Sequence, residues 1–357
     1  MIRLATELEI ARWDELICSN FDGGHLYQSQ AWASIKQAGG WQPVYCIYEA
    51  TAYFVAFLLI KKPASILGNI YYCSKGPGFF KNYQTSKLAE AHFMEFSADL
   101  VSFLRKLDKQ AILVKIEPEL EFDTSLDLGR LGYIKYRLDL QSKATIMLDI
   151  SDSLDGLMTN FKPKTRYNIR LAERKGVKVE RRPMDDSAVD LMYDLMQTTQ
   201  KRGGYFLRPK QHFANYWREL SAAGLGQLLV ATHQSEVLGA VFVARFSGRA
   251  YYKDGGSYDS KRNLMAPYLL QWEAIKWAKQ NGDKLYDMVG VPPIAKLSDS
   301  KHPQSGLYQF KRSFSDNVVE FVGCWDMPIN STKYKLWANQ EEYFLRLYAR
   351  IRKNLFW

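Results

Sequence analysis

QLLVATHQSEVLGAVFVARF, residues 227–246, holds two apolar runs about a polar turn and reads as a pair of adjacent strands. RAYYKDGGSY (249–258) follows as a third strand that ends in glycines. Next come LMAPYLLQWEAIKWAKQNG (264–282), a helix with Gly282 as its stop, and KLYDMVGVPP (284–293), a closing strand with its prolines. The same order occurs once before. VYCIYEATAYFVAFLLIKK (44–62) gives the strand pair, NIYYCSKGPGF (69–79) the strand ending in Gly and Pro, and AILVKIEPEL (111–120) the closing strand. Between them, AEAHFMEFSADLVSFLRKLDK (89–109) is a helix with Phe93, Phe96, Leu100, Phe103, Leu104 and Leu107 at the spacing of one face. Tyr71-Tyr72 aligns with Tyr251-Tyr252, and Ile116-Glu117-Pro118 aligns with the stretch from Asp287 to Pro293.

A strand meander, a glycine-bearing strand end, a helix and a further strand form the centre of a GNAT-type acyltransferase fold. Two copies predict an α/β (α+β) chain with two GNAT-like acyltransferase domains in tandem; two unrelated α/β domains that share an order are the alternative. A length of 357 residues fits two domains. The join falls near 142–150, after which IMLDISDSLDGLMTNF starts a fresh strand and helix. This gives a first domain over 1–145 and a second over 146–317. The tail beyond Asn330 reads as a basic, amphipathic helix that docks on a domain or meets a membrane surface or a partner.

With 47% hydrophobic and 24% charged residues the chain has ample core material and is not of the disordered class. A formal charge of +10 favours an anionic partner: nucleic acid, a nucleotide-linked substrate or an acidic membrane. Cys18, Cys46, Cys73 and Cys324 are scattered, without a Cys-x-x-Cys pair, and no secretory leader precedes them, so a cytoplasmic setting is expected. The longest apolar run, Tyr53 to Ile60, is far short of the roughly 20 residues that span a bilayer and reads as a buried strand. His25, His92, His212, His233 and His302 show no metal-ligand spacing, and no nucleophile elbow, P-loop or dinucleotide fingerprint occurs. An enzyme of this composition works by positioning and electrostatics, with no metal or resident cofactor expected.

Three basic features carry candidate chemistry. FKPKTRYNIRLAERKGVK (161–178) repeats Arg166, Arg170 and Arg174 every four residues, either a stripe for a phosphate backbone or a solvated helix face. Lys201-Arg202-Gly203-Gly204-Tyr205 joins charge to small residues, as an anion-binding loop or as a turn that closes a helix. In Phe310-Lys311-Arg312-Ser313-Phe314, Lys311 lies among aromatics that can shield an ammonium and strengthen its pull on developing negative charge; a strand lysine reaching to solvent is the alternative.

Together these residues resemble the Fem family of non-ribosomal peptidyltransferases almost end to end. The carriers are Trp32-x-x-x-Lys36 with Gly40-Trp41, Lys75-Gly76-Pro77, residues 165–177, Thr199-x-x-Arg202, Tyr251-Tyr252, residues 269–282, Tyr286-Asp287 and Phe310-Lys311-x-x-Phe314. The resemblance implies that segment 318–357 returns to complete the first domain. It also implies an aminoacyltransferase of cell-wall biogenesis that adds an amino acid from aminoacyl-tRNA, its co-substrate, to a peptidoglycan precursor, either UDP-MurNAc-pentapeptide or lipid II. A monomer is expected, with peripheral membrane contact if the acceptor is lipid-linked.

By the same resemblance Lys36 and Arg202 hold the precursor's diphosphate. Tyr205 and Tyr252 line the site with Trp32 and Thr199 near them, and Lys311 beside Phe310 steadies the oxyanion or the leaving oxygen. The Arg166, Arg170 and Arg174 stripe gains tRNA as its partner from charge alone. Two departures stand out. Between His212 and Gln227 there is no room for a long helical-arm insertion, as in the armless FemX form, and Glu117 stands where an aspartate is expected. Other classes compatible with the fold are an acetyl-CoA-dependent N-acetyltransferase and a non-catalytic RNA- or membrane-binding protein. Against the former, Tyr205 fills the last small position of the nearest cofactor-type loop.

Overall fold

Fourteen strands carry the fold in a computed structural model, which describes residues 1–203 and 206–357, and of 202 and 203 the backbone only. In chain order they are β1 (Ile2–Leu4), β2 (Gln42–Glu49), β3 (Phe54–Pro63), β4 (Asn69–Cys73), β5 (Ala111–Ile116), β6 (Ile134–Lys135) and β7 (Ala144–Asp149). There follow β8 (Lys178–Arg182), β9 (Gly226–His233), β10 (Glu236–Phe246), β11 (Arg249–Ser257), β12 (Leu285–Asp287), β13 (Val318–Glu320) and β14 (Trp325–Pro328). The chain divides into two compact units, Met1–Lys143 with Phe321–Trp357, and Ala144–Glu320.

The first unit is a seven-stranded sheet in the order β1-β2-β3-β4-β5-β14-β6. β2, β3 and β4 form an antiparallel meander, the helix Lys87–Leu107 crosses over, and β5 returns parallel to β4. The helix starts at Ser86, whose hydroxyl accepts from the Ala89 amide, and buries Phe93, Phe96, Leu100 and Leu104 against Val55, Phe57 and Leu59 of β3. Leu107, expected on that face, is instead 40% exposed, because it falls in the last turn, beyond the sheet's cover. β3 meets β4 only from Ile60 onward. Ahead of that point side-chain amides stand in for the missing strand: Asn20 bonds both backbone groups of Ala56, and the Leu58 amide donates to Gln28.

The second unit is a separate seven-stranded sheet, β13-β7-β12-β11-β10-β9-β8, with the same kernel: the meander β9-β10-β11, the helix Ala266–Gln280, then β12 parallel to β11. Ile146, Leu148, Val241, Val243, Leu269 and Ile275 belong to one core cluster between this helix and the sheet. Both units therefore contain the kernel expected from the repeat. They differ in what lies beside the closing strand: β14, from the end of the chain, beside β5, but β7, from the start of its own unit, beside β12.

The boundaries expected from sequence need correction by two or three residues at each junction. Ala144 and Thr145 open β7, and Val318–Glu320 pairs with that strand, so both pieces belong to the second sheet. Between β8 and β9 the chain holds the helices Asp186–Gly203 and Lys210–Ala222, and no longer insertion interrupts the unit. No helix among the described residues is long and apolar enough to cross a membrane.

Candidate active site

Lys311 is one of the buried charged side chains of the second unit. It ends the short helix Ser305–Lys311, not a strand, and its spacing from Tyr308 turns both inward. Only 3% of Lys311 is exposed. Its Nζ donates to the carbonyl oxygens of Val289 and Gly290, the latter at 2.8 Å, and lies 5.4 Å from the centre of the Tyr252 ring. Burial pushes its pKa down to about 7, with the Asp287 charge pulling the other way.

The turn after β12 is what places those carbonyls. Val289 has φ of +44° and Gly290 of +73°, two successive left-handed residues, and for a β-branched valine this conformation is a strained outlier. Asp287 holds the turn: its Oδ1 accepts from the Val289 amide at 2.8 Å and from the Thr145 hydroxyl on β7. Phe310 packs edge-on to Tyr268 at 5.2 Å and to Phe314 at 5.6 Å, which fixes the helix that carries Lys311.

Tyr252 reaches Lys311 through an irregularity of its own strand. The β10–β11 register jumps from Phe242 opposite Asp254 to Val243 opposite Tyr252, so Lys253 is the extra residue of a bulge. An ammonium has three N–H donors. Two are spent on Val289 and Gly290, and the third finds no acceptor among the described residues.

The other expected residues fall into separate groups. Lys36 and Trp32 come together in the first unit on the helix Gln30–Ala38, with Nζ 5.0 Å from the centre of the Trp32 ring and 6.0 Å from that of Trp41. Trp32 stacks on Tyr27 at 4.2 Å, and its buried Nε1 finds no hydrogen-bond acceptor among the described residues. Thr199, on the helix Asp186–Gly203, donates its hydroxyl back to the Leu195 carbonyl at 2.9 Å. Lys201, Arg202 and Gly203 are the last residues of that helix; Tyr205 and the Arg202 side chain lie outside the described residues.

The arginine stripe does not act as one. On the helix Pro163–Arg174, Arg166 turns back and donates to the carbonyls of Thr159 and Phe161, tying down the end of the preceding helix. Arg170 and Arg174 are exposed and remain open to a partner.

Three contributors were missed by sequence reasoning: Asp287 as the anchor of the turn, Thr145 as its support, and the carbonyls of Val289 and Gly290. By sequence 284–293 reads whole as the closing strand, whereas the strand ends at Asp287 and a turn follows; carbonyl direction has no sequence signal. In the first unit a second buried set surrounds Glu117. It accepts from the Tyr72 hydroxyl and from the amides of Leu140 and Gln141, both at 3.2 Å, and burial raises its carboxyl pKa against the pull of Lys75. Every bond Glu117 makes here holds backbone or strand in place.

The FemAB family model matches residues 16–130, 132–221 and 225–341. A lipid II:glycine glycyltransferase of Staphylococcus epidermidis is 24% identical over 88% of this chain and 90% of its own length. A UDP-N-acetylmuramoylpentapeptide-lysine N(6)-alanyltransferase of Weissella viridescens is 25% identical over 87% of this chain and 91% of its own. Among solved structures, a crystal structure of FemX superposes with a TM-score of 0.77 at 20% identity, covering 94% of this chain and 99% of that one. The family model covers nearly the whole chain, and the matched relatives are spanned over most of their length, so this chain belongs to the FemAB family.

Proposed function

We propose that this chain is an aminoacyltransferase of peptidoglycan bridge synthesis, which moves an amino acid from an aminoacyl-tRNA to the stem-peptide amine of a peptidoglycan precursor. The family membership and the names of the relatives support the reaction class. The observation that carries the mechanism is Lys311, buried at 3% exposure with a single N–H left to give.

In this reading the amine nitrogen of the acceptor attacks the ester carbonyl of the charged tRNA. A C–N bond forms, the carbonyl oxygen takes on negative charge, and the third N–H of Lys311 meets that charge where water is excluded. The bond from carbon to the ribose oxygen then breaks, and the proton lost by the amine ends on that oxygen. Tyr252 lies beside the ammonium, which the carbonyls of Val289 and Gly290 hold in place.

The remaining roles rest on the resemblance. Lys36 and Arg202 hold the diphosphate of the precursor, with Trp32, Thr199 and Tyr205 around it. Arg170 and Arg174 meet the phosphates of the tRNA, while Arg166 is left to structure. The test is to incubate the protein with a mixed pool of charged tRNA and, separately, UDP-MurNAc-pentapeptide and lipid II, then weigh the precursor. A gain of one or more aminoacyl residues is expected; unchanged mass in every combination overturns the proposal.

A further inference from the structure

The helix Ser331–Arg352 presents a surface that the proposed reaction does not use. Its inner side is fixed to the first unit. Trp337 is 1% exposed, and the chain end folds back so that Phe356 packs on Phe344 at 5.3 Å, Tyr348 at 5.1 Å and Trp41 at 5.5 Å. Asn330 caps its start by accepting from the Lys333 amide at 3.0 Å. The helix is therefore held in one rotation about its axis.

In that rotation Leu336, Tyr343, Leu347 and Ile351 point outward, at 46%, 73%, 42% and 67% exposure. At 100° per residue their positions fall within a sector of roughly 80°, so they form one stripe and not scattered exposures. Arg350, Arg346 and Lys335 line one side of the stripe, and Lys353 follows at the end of the helix. Residues 331–353 hold six basic side chains and two acidic ones. Of the two acids, Glu341 is buried and Glu342 is paired with Arg346 at 2.5 Å. An apolar stripe with a basic rim and little acidic charge matches a layer whose interior is acyl chain and whose surface is phosphate. Tyr343, the most exposed of the four, is of a residue type suited to that boundary.

We propose that this face of the helix docks the protein, lying flat, on the surface of a bilayer rich in anionic phospholipid. The docking is peripheral, and it sets the enzyme on the surface where a lipid-linked acceptor is anchored. The proposal does not rest on the transferase reading, because binding is read with no substrate present.

The test is cosedimentation of the full chain with vesicles of phosphatidylglycerol and phosphatidylcholine, and with vesicles of phosphatidylcholine alone. The wild type is expected to bind the mixed vesicles, more weakly as salt rises, and to leave the neutral ones. Replacing Lys335, Arg350 and Lys353 together by Gln lowers the affinity on the order of 100-fold, at about fivefold per charge. The pair Leu347→Glu and Ile351→Glu lowers it at least about tenfold.

Since the Glu pair also changes the helix, Ile351→Cys carrying an environment-sensitive fluorophore gives a second readout: its emission shifts to the blue with mixed vesicles only. No binding by the wild type, equal binding to both vesicles, or an unshifted fluorophore overturns the proposal. So does a wild type that ignores vesicles but forms a dimer that the Glu pair abolishes; the stripe then joins two copies of the chain.

Discussion

Replacing Lys311 by Met removes a buried charge at nearly constant volume, and the stability change should depend on pH in a way this site dictates. Burial holds the folded lysine at about 7 against its ordinary 10.5. Between those values the unfolded chain carries a proton that the folded chain does not, so the free energy of unfolding rises with pH across that window. Below about 7 both states are protonated, and the residue adds no slope. From about pH 7 to about pH 9 the linkage comes to about 2 kcal/mol of added stability in the wild type.

A methionine side chain has no proton to lose, so the variant lacks this rise. Leaving the carbonyls of Val289 and Gly290 without their donor costs the variant roughly 1–3 kcal/mol each. That cost is the same at every pH and cancels from the slope. Urea unfolding of both proteins at several pH values, followed by tryptophan fluorescence, reads the difference directly. Parallel curves would refute the reasoning, because they would mean that Lys311 keeps its ordinary affinity for the proton and that its ammonium reaches water.

Arg170→Gln with Arg174→Gln should weaken tRNA binding and flatten its dependence on log salt by about 0.7–0.9 per charge removed, measured by filter binding. Unchanged slopes would assign both arginines to a solvated face. Asp254, which accepts from the Trp217 indole at 2.9 Å, is pushed by burial up to about 7. Here the folded state binds the extra proton between 3.8 and about 7, so stability falls as pH rises through that window. Asp254→Asn should therefore stabilise the protein more at pH 8 than at pH 4 in thermal unfolding.

The doubled kernel was legible because its signals are local. The run from Val55 to Ile60 is continuous and buried, Gly282 stops a helix, and Phe93, Phe96, Leu100 and Leu104 keep one face. What flanks the kernel was not readable from local pattern. That β14 lies beside β5 and β7 beside β12 is a matter of pairing across long stretches of chain.

Lys311 was found for its chemistry, and the shielded setting expected from its aromatic neighbours is the one it has. The alternative, a strand lysine reaching to solvent, fails because Lys311 ends a helix whose turn from Tyr308 carries it inside. The bulge at Lys253, the left-handed Val289 and the inward use of Arg166 arise from tertiary context that overrides residue preference, and each lies at or beside a candidate functional position.

The most direct measurement is single-turnover transfer of a labelled amino acid from charged tRNA to the precursor, in wild type and in Lys311→Met, with folding of both verified by circular dichroism. The account predicts transfer by the wild type and a loss of about 100-fold or more in the folded variant. Transfer by Lys311→Met at the wild-type rate would contradict it.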